Sequence, residues 1–298
     1  MPPGRCTAGA ETNAMRSTNL HRLIGVIAAV AVLLSFHDAG AYVLPGPYLV
    51  SRMLRSMGRT TALLVVQKQI IYGIGENQSP PEIHETLRFQ FPNRFRADSS
   101  TDSTKRIYVQ ADAQALTLLD GRVAAADSRA ELYKDLLLYR DRDLLTARLA
   151  RTGVDINVSS LGHDGPRVFF VVGAAFPDTA TPQLWIDKQT FLPLRWIVGS
   201  QALSEAQPRL EFRYLKWTQV GEGFWYPLRI ECYRNETLIR EIRVDSTRLN
   251  VTFGRDLFDI AALKSGLAET SEPAVQAAPR PKMDEVRKTI EEFKKIYH

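Results

Sequence analysis

The sequence predicts an α+β protein in which one large, curved antiparallel sheet wraps over two or three helices. Residues 183–253 contain four or five successive segments in which apolar and charged side chains alternate, as in a sheet with one buried and one wet face. Earlier segments of the same kind raise the total to about eight to eleven strands, and a twisted sheet of that size tends to curl. Helical spacing is confined to residues 47–57, 128–152 and the C-terminal end.

The first element of the predicted domain is a helix that begins near Pro47 and stops at Gly58. Its apolar side chains recur at helical spacing and form one stripe, which consists of Leu49, Val50, Met53, Leu54 and Met57.

Strands follow this helix. Residues 61–73 are rich in β-branched side chains and predict a long strand. Leu87, Phe89 and Phe91 then alternate with polar residues, which predicts one apolar strand face; Pro92 interrupts this strand and Phe95 lies where it resumes. Residues 106–110 and 115–119 are short strands, and Asp120-Gly121 predicts a tight hairpin turn.

The period becomes helical over residues 128–152, where Leu132, Leu136 and Tyr139 share a face. The charged run at residues 141–143 predicts a solvated kink or a break between two helices. Residues 155–161 and 167–174 predict a hairpin that turns at residues 162–165, and the strands of residues 183–253 complete the domain.

Both ends of the chain are predicted to lie outside this domain. Residues 1–41 have the basic, apolar and small-residue regions of a signal peptide cleaved after Ala41, although an uncleaved anchor and a start at Met15 are alternatives. The predicted domain spans residues 42–263, and residues 264–282 are a flexible linker. Residues 283–298 form an amphipathic helix that either docks or binds a partner, or else frays in solvent.

Charge and cysteine content exclude some functions. Without residues 1–41, the chain has 35 Lys and Arg and 31 Asp and Glu, a net charge of +4. Its basic residues do not form the cluster that nucleic-acid binding requires. We therefore predict no nucleic-acid partner. Cys232 is the one cysteine left; it shares a strand face with Ile230, so we interpret it as a buried core thiol.

No arrangement of residues predicts catalysis. The sequence has no nucleophile elbow, zinc-protease motif, Walker loop or dinucleotide-binding glycine motif. His84 and His163 lack nearby metal ligands and are interpreted as exposed loop histidines. We predict a protein that is not an enzyme and that has no catalytic residues, metal or cofactor; an envelope enzyme with polar groups that converge only in the fold is the alternative.

Large apolar side chains on the strands predict a lipid-binding cavity instead. Because two or three helices fill the concave side of a curved sheet only in part, an apolar hollow is expected there. The residues predicted to line it are Leu87, Phe89, Phe91, Phe95, Leu132, Leu136, Phe170, Trp185, Trp196 and Phe212.

Four short motifs follow one another along the predicted domain. They are the strand break at residues 91–96, the Leu119-Asp120-Gly121 hairpin, the turn from Leu184-Trp185-Ile186-Asp187 to Leu192-Pro193-Leu194, and the ending at residues 248–258. Together they resemble the motifs of the LolA-like periplasmic carriers that sort outer-membrane lipoproteins. Each motif is weak alone, but their order over residues 47–260 is more specific. The resemblance implies an incomplete β-barrel over helices with a cavity for acyl chains.

The resemblance also implies a function: a monomeric periplasmic carrier that binds the acyl chains of lipoproteins or lipids and helps deliver them to the outer membrane. Its partners would be acylated lipoproteins or lipids and transport components of the inner and outer membranes. One residue departs from the family, whose arginine before the strand-break proline holds a helical lid closed. Phe91 occupies that position here. A sensor or adaptor that uses the same fold to bind a lipoprotein or protein partner is the alternative.

Overall fold

The computed structural model describes residues 43–73, 80–124, 131–199 and 209–269, and in it thirteen antiparallel strands form one open sheet. The strands are β1 (Ala62–Ile71), β2 (Glu82–Gln90), β3 (Arg94–Ser100), β4 (Lys105–Ala111), β5 (Gln114–Leu119), β6 (Arg122–Ala124), β7 (Ser159–Asp164), β8 (Arg167–Val172), β9 (Gln183–Asp187), β10 (Pro193–Val198), β11 (Leu210–Gly221), β12 (Phe224–Arg234) and β13 (Thr237–Leu249).

The described residues also contain four helices: α1 (Gly46–Ser56), α2 (Asp135–Leu138), α3 (Arg142–Arg151) and α4 (Ile260–Glu269). Two 3-10 turns, Leu132–Lys134 and Arg255–Phe258, precede α2 and α4. Helix α4 continues across the position where the linker was predicted to begin. The predicted signal peptide and C-terminal amphipathic helix lie outside the described residues. None of the described helices is long and apolar enough to cross a membrane.

The strand order joins two meanders. Strands β1 to β6 are sequential neighbours, as are β7 to β13, and the two groups meet where β1 pairs with β13. The free edges are therefore β6 and β7, and the chain that connects them in sequence contains α2 and α3. We call residues 131–151 the helical insert. Because the insert connects the two edge strands, it crosses one face of the sheet.

The main core shows that the sheet is curved around this insert. One contiguous cluster contains side chains from β3 and β4 near one edge, from β8 near the other, and from α1 to α3. Strands lie about 4.8 Å apart, so a flat sheet would hold β4 and β8 about 40 Å from each other. Only a curved sheet lets both contact the same few helices. The predicted fold class is thus confirmed.

Alternation along the strands assigns residues to the two faces. On β8, Phe170 and Val172 join the concave core, whereas Phe169 and Val171 belong to a separate cluster on the convex face. The convex face also carries ion pairs between strands: Glu211 accepts from Arg195 Nη2 at 2.5 Å and from Arg213 Nε at 2.6 Å. Such pairs keep that face polar and contribute little each to stability.

Several local predictions are confirmed. All five apolar side chains of the α1 stripe are buried, and Asp120-Gly121 forms the β5–β6 turn with φ of 48° and 76°. Gly58 ends the helical region with φ of 81°, and a Cβ there would lie 1.9 Å from the carbonyl oxygen of Gly223. Only glycine permits this approach, which is fixed by the Trp225 N–H donating to Met57 O at 3.0 Å.

Other local predictions are wrong. Residues 91–93 do not interrupt one strand; they connect β2 to its antiparallel neighbour β3, with Phe89 opposite Phe95. Strand β7 begins at Ser159 and includes His163, so the hairpin turns two residues later than predicted. His84 and His163 are exposed, but both lie in strands and not in loops. The sequence does not distinguish these two cases, because exposed strand positions and loops share the same polar composition.

Candidate functional site

The helical insert is a pair of short helices separated by a break. Helix α2 ends at Leu138, and Tyr139 adopts an extended backbone with ψ of 90°. Asp141 then caps α3 by accepting from the amides of Asp143 at 2.9 Å and Leu144 at 3.0 Å. Residues 141–143 are exposed, which confirms the predicted solvated break. Arg140 lies between Tyr139 and Asp141, in the middle of this break.

Every residue from 131 to 138 is buried, so this half of the insert lies inside the curve of the sheet. Its apolar side chains are those of Leu132, Leu136, Leu137 and Leu138, and all belong to the concave core. The sequence predicts an apolar cavity on the concave side of the sheet, which the helices fill only in part. In the structure, the insert occupies the concave side, and the side chains described there are buried against one another.

Aromatic residues of β2, the β2–β3 turn, β3 and β12 form the wall opposite the insert, and we call them the aromatic wall: Phe89, Phe91, Phe95, Phe224 and Tyr226. The ring centroids of Phe89 and Phe95 are 4.9 Å apart, because these residues are register partners on neighbouring strands. Phe89 also lies 5.9 Å from Phe91 and 6.2 Å from Tyr226. Offset and edge contacts of this kind stabilise aromatic clusters beyond their area burial.

The structure brings most of the predicted cavity residues together. Nine of the ten lie in the concave core: Leu87, Phe89, Phe91, Phe95, Leu132, Leu136, Phe170, Trp196 and Phe212. Trp185 is the exception. It lies on the convex face, where its ring stacks on Phe169 at 4.1 Å. Leu184 and Ile186 on either side of it point into the core, so strand alternation excludes Trp185 from the concave face.

Arg140 closes one end of the aromatic wall. Its guanidinium carbon is 5.4 Å from the Phe91 ring centroid and 5.0 Å from that of Phe224, both distances typical of cation–π contacts. Its Nε donates to the Leu137 carbonyl oxygen at 2.8 Å and so satisfies the end of α2. The Phe91 position, where the LolA-like carriers have an arginine, thus faces an arginine supplied by the insert.

Three other polar atoms at this end have no hydrogen-bond partner among the described residues. Arg140 as a residue is half-buried, yet its Nη1 and Nη2 atoms are buried and make no hydrogen bond, and neither does the Tyr226 hydroxyl. Burial lowers the pKa of Arg140 to about 10, against the opposing influence of Tyr226. Among the described residues, no carboxylate forms an ion pair with Arg140.

A polar network lies beside the aromatic wall, under the buried half of the insert. Arg106 on β4 donates from Nη1 to Glu131 Oε1 at 2.8 Å, and these two side chains are 5% and 0% exposed. Asp135 accepts from Lys134 Nζ at 2.9 Å and from Arg148 Nε at 2.5 Å. Burial opposes ionisation of Glu131, but the charges of Arg106, Lys134 and Arg240 outweigh it and lower the pKa of Glu131.

Glu85 on β2 belongs to the same network. Its carboxylate accepts from Ser99 Oγ at 2.6 Å and Gln67 Nε2 at 2.8 Å. Burial and the negative charge of Glu131 raise the pKa of Glu85 despite these hydrogen bonds. Sequence reasoning missed this network, although one signal existed: Glu85 precedes Leu87 and Phe89 at a spacing of two residues, which places it on the inner strand face.

The turn between β9 and β10 explains one of the motifs. Asp187 Oδ1 accepts from the amides of Gln189 at 3.0 Å and Thr190 at 2.9 Å, and its Oδ2 accepts from Arg167 at 3.0 Å. An aspartate at this position is therefore needed to form the turn, so the motif reports on fold. Cys232 is buried as predicted, and burial raises the pKa of its thiol. The described residues contain no group of three or more His, Cys, Asp and Glu side chains arranged to hold a metal ion.

Comparison with known proteins gives matches at the level of structure. No protein-family model matches the chain, and no curated protein does. A domain described as that of an outer membrane lipoprotein-sorting protein from Vibrio parahaemolyticus is 12% identical with a TM-score of 0.48, and the match covers 74% of this chain and 98% of that chain. A DUF1329 family protein from Desulfovibrio piger is 13% identical with a TM-score of 0.48, covering 73% and 97%.

A LolA superfamily protein from Nitrosomonas europaea is also similar, at 9% identity and a TM-score of 0.44, with coverage of 72% of this chain and 98% of that chain. The family that the sequence motifs resemble is therefore among the matched structures.

Proposed function

We propose that this protein binds an acyl chain of a lipid or lipoprotein between the aromatic wall and the helical insert, and carries it across the periplasm towards the outer membrane. One observation carries the proposal. The concave apolar core is closed by an insert that lies outside the strand ladder, so the insert can shift while the hydrogen bonds of the sheet stay intact.

The energetics favour exchange between insert and ligand. Burying one methylene is worth about 0.8 kcal/mol, so an acyl chain of roughly 15 methylenes costs on the order of 12 kcal/mol to leave in water. The four buried leucines of residues 131–138 offer roughly 16 side-chain carbons, a similar amount of apolar surface. An acyl chain that replaces them against the aromatic wall would exchange one apolar contact for another, and release would be equally feasible.

Photo-crosslinking tests where the ligand lies. The purified chain is loaded with a fatty acid that carries a diazirine on its tail, irradiated, and mapped by tandem mass spectrometry. We expect labels on Phe89, Phe95 and Phe170 and none on Phe169, the convex neighbour of Phe170 with equal burial. Labels spread evenly over both faces, or absent from the concave face, would contradict the proposal.

Transport through the periplasm needs a separate test, because the predicted signal peptide lies outside the described residues. Expression of the full chain in a Gram-negative host, cell fractionation and N-terminal sequencing should give a periplasmic product that begins at Tyr42. Native mass spectrometry of this product should show co-purified lipid. A product retained in the cytoplasm would contradict a carrier role even if the pure protein binds fatty acid.

A further inference from the structure

At the Arg140 end of the aromatic wall, three donors have no hydrogen-bond partner among the described residues. Arg140 Nη1, Arg140 Nη2 and the Tyr226 hydroxyl are buried without a hydrogen bond, and a buried charged donor without an acceptor loses its solvation with nothing to replace it. The faces of Phe91 and Phe224 compensate only in part. The apolar aromatic wall therefore ends at a guanidinium whose hydrogen-bonding capacity is not used.

From this arrangement we infer that Arg140 and Tyr226 bind the anionic oxygen of an amphiphile headgroup, a carboxylate or a phosphate, whose tail lies along the aromatic wall. The inference rests on the proposed function and narrows its ligand class to anionic amphiphiles. Guanidinium groups suit this role because their planar donors match two oxygens of a carboxylate or phosphate at once.

The position of Arg140 gives a headgroup access. Arg140 lies in the break between α2 and α3, where the backbone is not helical. Both Arg140 and Phe91 are half-buried, whereas Phe224 and Tyr226 are fully buried. Arg140 thus extends from a partly exposed position to buried Nη atoms, so a headgroup can reach the guanidinium when the insert shifts, while the tail passes inward towards Phe89 and Tyr226.

The test compares the affinities of four ligands that have the same tail and different headgroups: dodecanoate, monododecyl phosphate, dodecanol and dodecyltrimethylammonium. The affinities are measured by calorimetric titration at about pH 8, where carboxylates are ionised. The full chain should bind the two anions at least about tenfold more tightly than dodecanol, and the cation more weakly still. Acetate and inorganic phosphate at the same concentration should not displace dodecanoate. Displacement by these tailless anions would overturn the amphiphile assignment.

Variants separate the headgroup site from the tail site. Arg140→Gln should abolish the preference for anions while the dodecanol affinity changes by less than about twofold, and Tyr226→Phe should weaken dodecanoate binding several-fold. Arg140→Lys retains the charge and should keep part of the preference. Arg52→Gln is the matched control, since Arg52 stacks on Phe191 at 4.8 Å elsewhere in the fold, and it should leave the preference unchanged.

Each outcome decides the inference. Equal affinity for dodecanoate and dodecanol in the unmodified chain, or a preference that survives Arg140→Gln, would overturn the headgroup role and leave the acyl-binding proposal standing. If none of the amphiphiles binds, the proposed function fails and the headgroup site fails with it. Thermal unfolding of each variant establishes that a lost preference does not come from a lost fold, and Arg140→Lys provides the test should Arg140→Gln not fold.

Discussion

Replacing Phe91 by arginine should release the helical insert, because it removes the surface on which Arg140 stacks. Phe91 contacts Phe89 at 5.9 Å, Phe224 at 6.2 Å and the Arg140 guanidinium at 5.4 Å. Each aromatic pair is worth about 0.5–1.5 kcal/mol and the cation–π contact about 0.5–2 kcal/mol. The aromatic pairs lie within the wall and do not hold the insert, so only the cation–π contact counts; because the Arg140 Nη atoms are buried, we take about 2 kcal/mol for it, before any repulsion between the two guanidinium groups.

Hydrogen exchange measures this directly. A loss of about 2 kcal/mol raises the population of the open insert about 30-fold, so the amides of residues 136–151 should exchange about 30-fold faster in Phe91→Arg. Amides of β11 to β13, which lie in the middle of the strand order, should be unchanged. Phe91→Leu is the matched control: it keeps apolar volume without adding a charge and should accelerate the same amides by a smaller factor.

Two results would refute the reasoning. If the insert exchanges at the same rate in Phe91→Arg and the unmodified chain, Arg140 does not hold it in place. If exchange accelerates equally across the whole sheet, the insert does not open as a separate unit, and the substitution has only lowered global stability.

The remaining predictions concern the polar network and one turn. Burial raises the pKa of Glu85, so the stability that this group contributes is present below its ordinary pKa of 4.5 and is lost as the pH rises through its raised pKa in the folded state. In urea unfolding, Glu85→Gln should therefore become more stable relative to the unmodified chain as the pH rises. A difference in stability that does not depend on pH would contradict this. Glu131 has a lowered pKa, so its contribution is present above 4.5 and lost as pH falls; Glu131→Gln should cost about 3 kcal/mol at neutral pH and progressively less in acid. Asp187→Ala should lower the unfolding free energy by about 2 kcal/mol through the lost turn bonds and leave dodecanoate affinity unchanged; a change in that affinity would mean that the turn also shapes the site.

Most strands could be predicted because their side chains obey a two-residue period that depends on local sequence alone. Phe89 and Leu87 were assigned to the buried face on this basis, and both lie in the core. The same period would have placed Trp185 on the convex face, between Leu184 and Ile186. The size of the tryptophan side chain alone favours a core position, because large aromatic side chains are common in cores.

Connectivity was harder to predict than secondary structure. The residues around Pro92 indicate an end to β2, but nothing local states whether the next strand continues the first or pairs beside it. The β1–β13 pairing joins residues that are far apart in sequence, and no turn specifies it. These contacts depend on the whole sheet closing around the insert, so a reading of short segments could not find them.

The polar network was missed for a related reason. Glu131, Lys134 and Asp135 follow one another in a segment with helical spacing, and charges in such a segment usually face solvent. Their burial is caused by partners on other elements, above all Arg106 on β4 and Arg148 on α3. A charged residue is buried when its partners are in place, and those partners can be identified only after the fold is known.

This network also bears on how the insert could open and return. A buried ion pair is often no more stabilising than apolar residues of the same volume, because desolvation offsets much of the attraction. The pairs at Glu131 and Asp135 therefore add little to the net free energy that holds the insert closed, yet they fix its position, since a shifted insert would leave charges without partners. An acyl chain can replace leucines, but it cannot replace these partners. The network thus favours the return of the insert to one position once the ligand leaves. Opening stays reversible because the acyl chain and the leucines of the insert make similar apolar contacts with the aromatic wall.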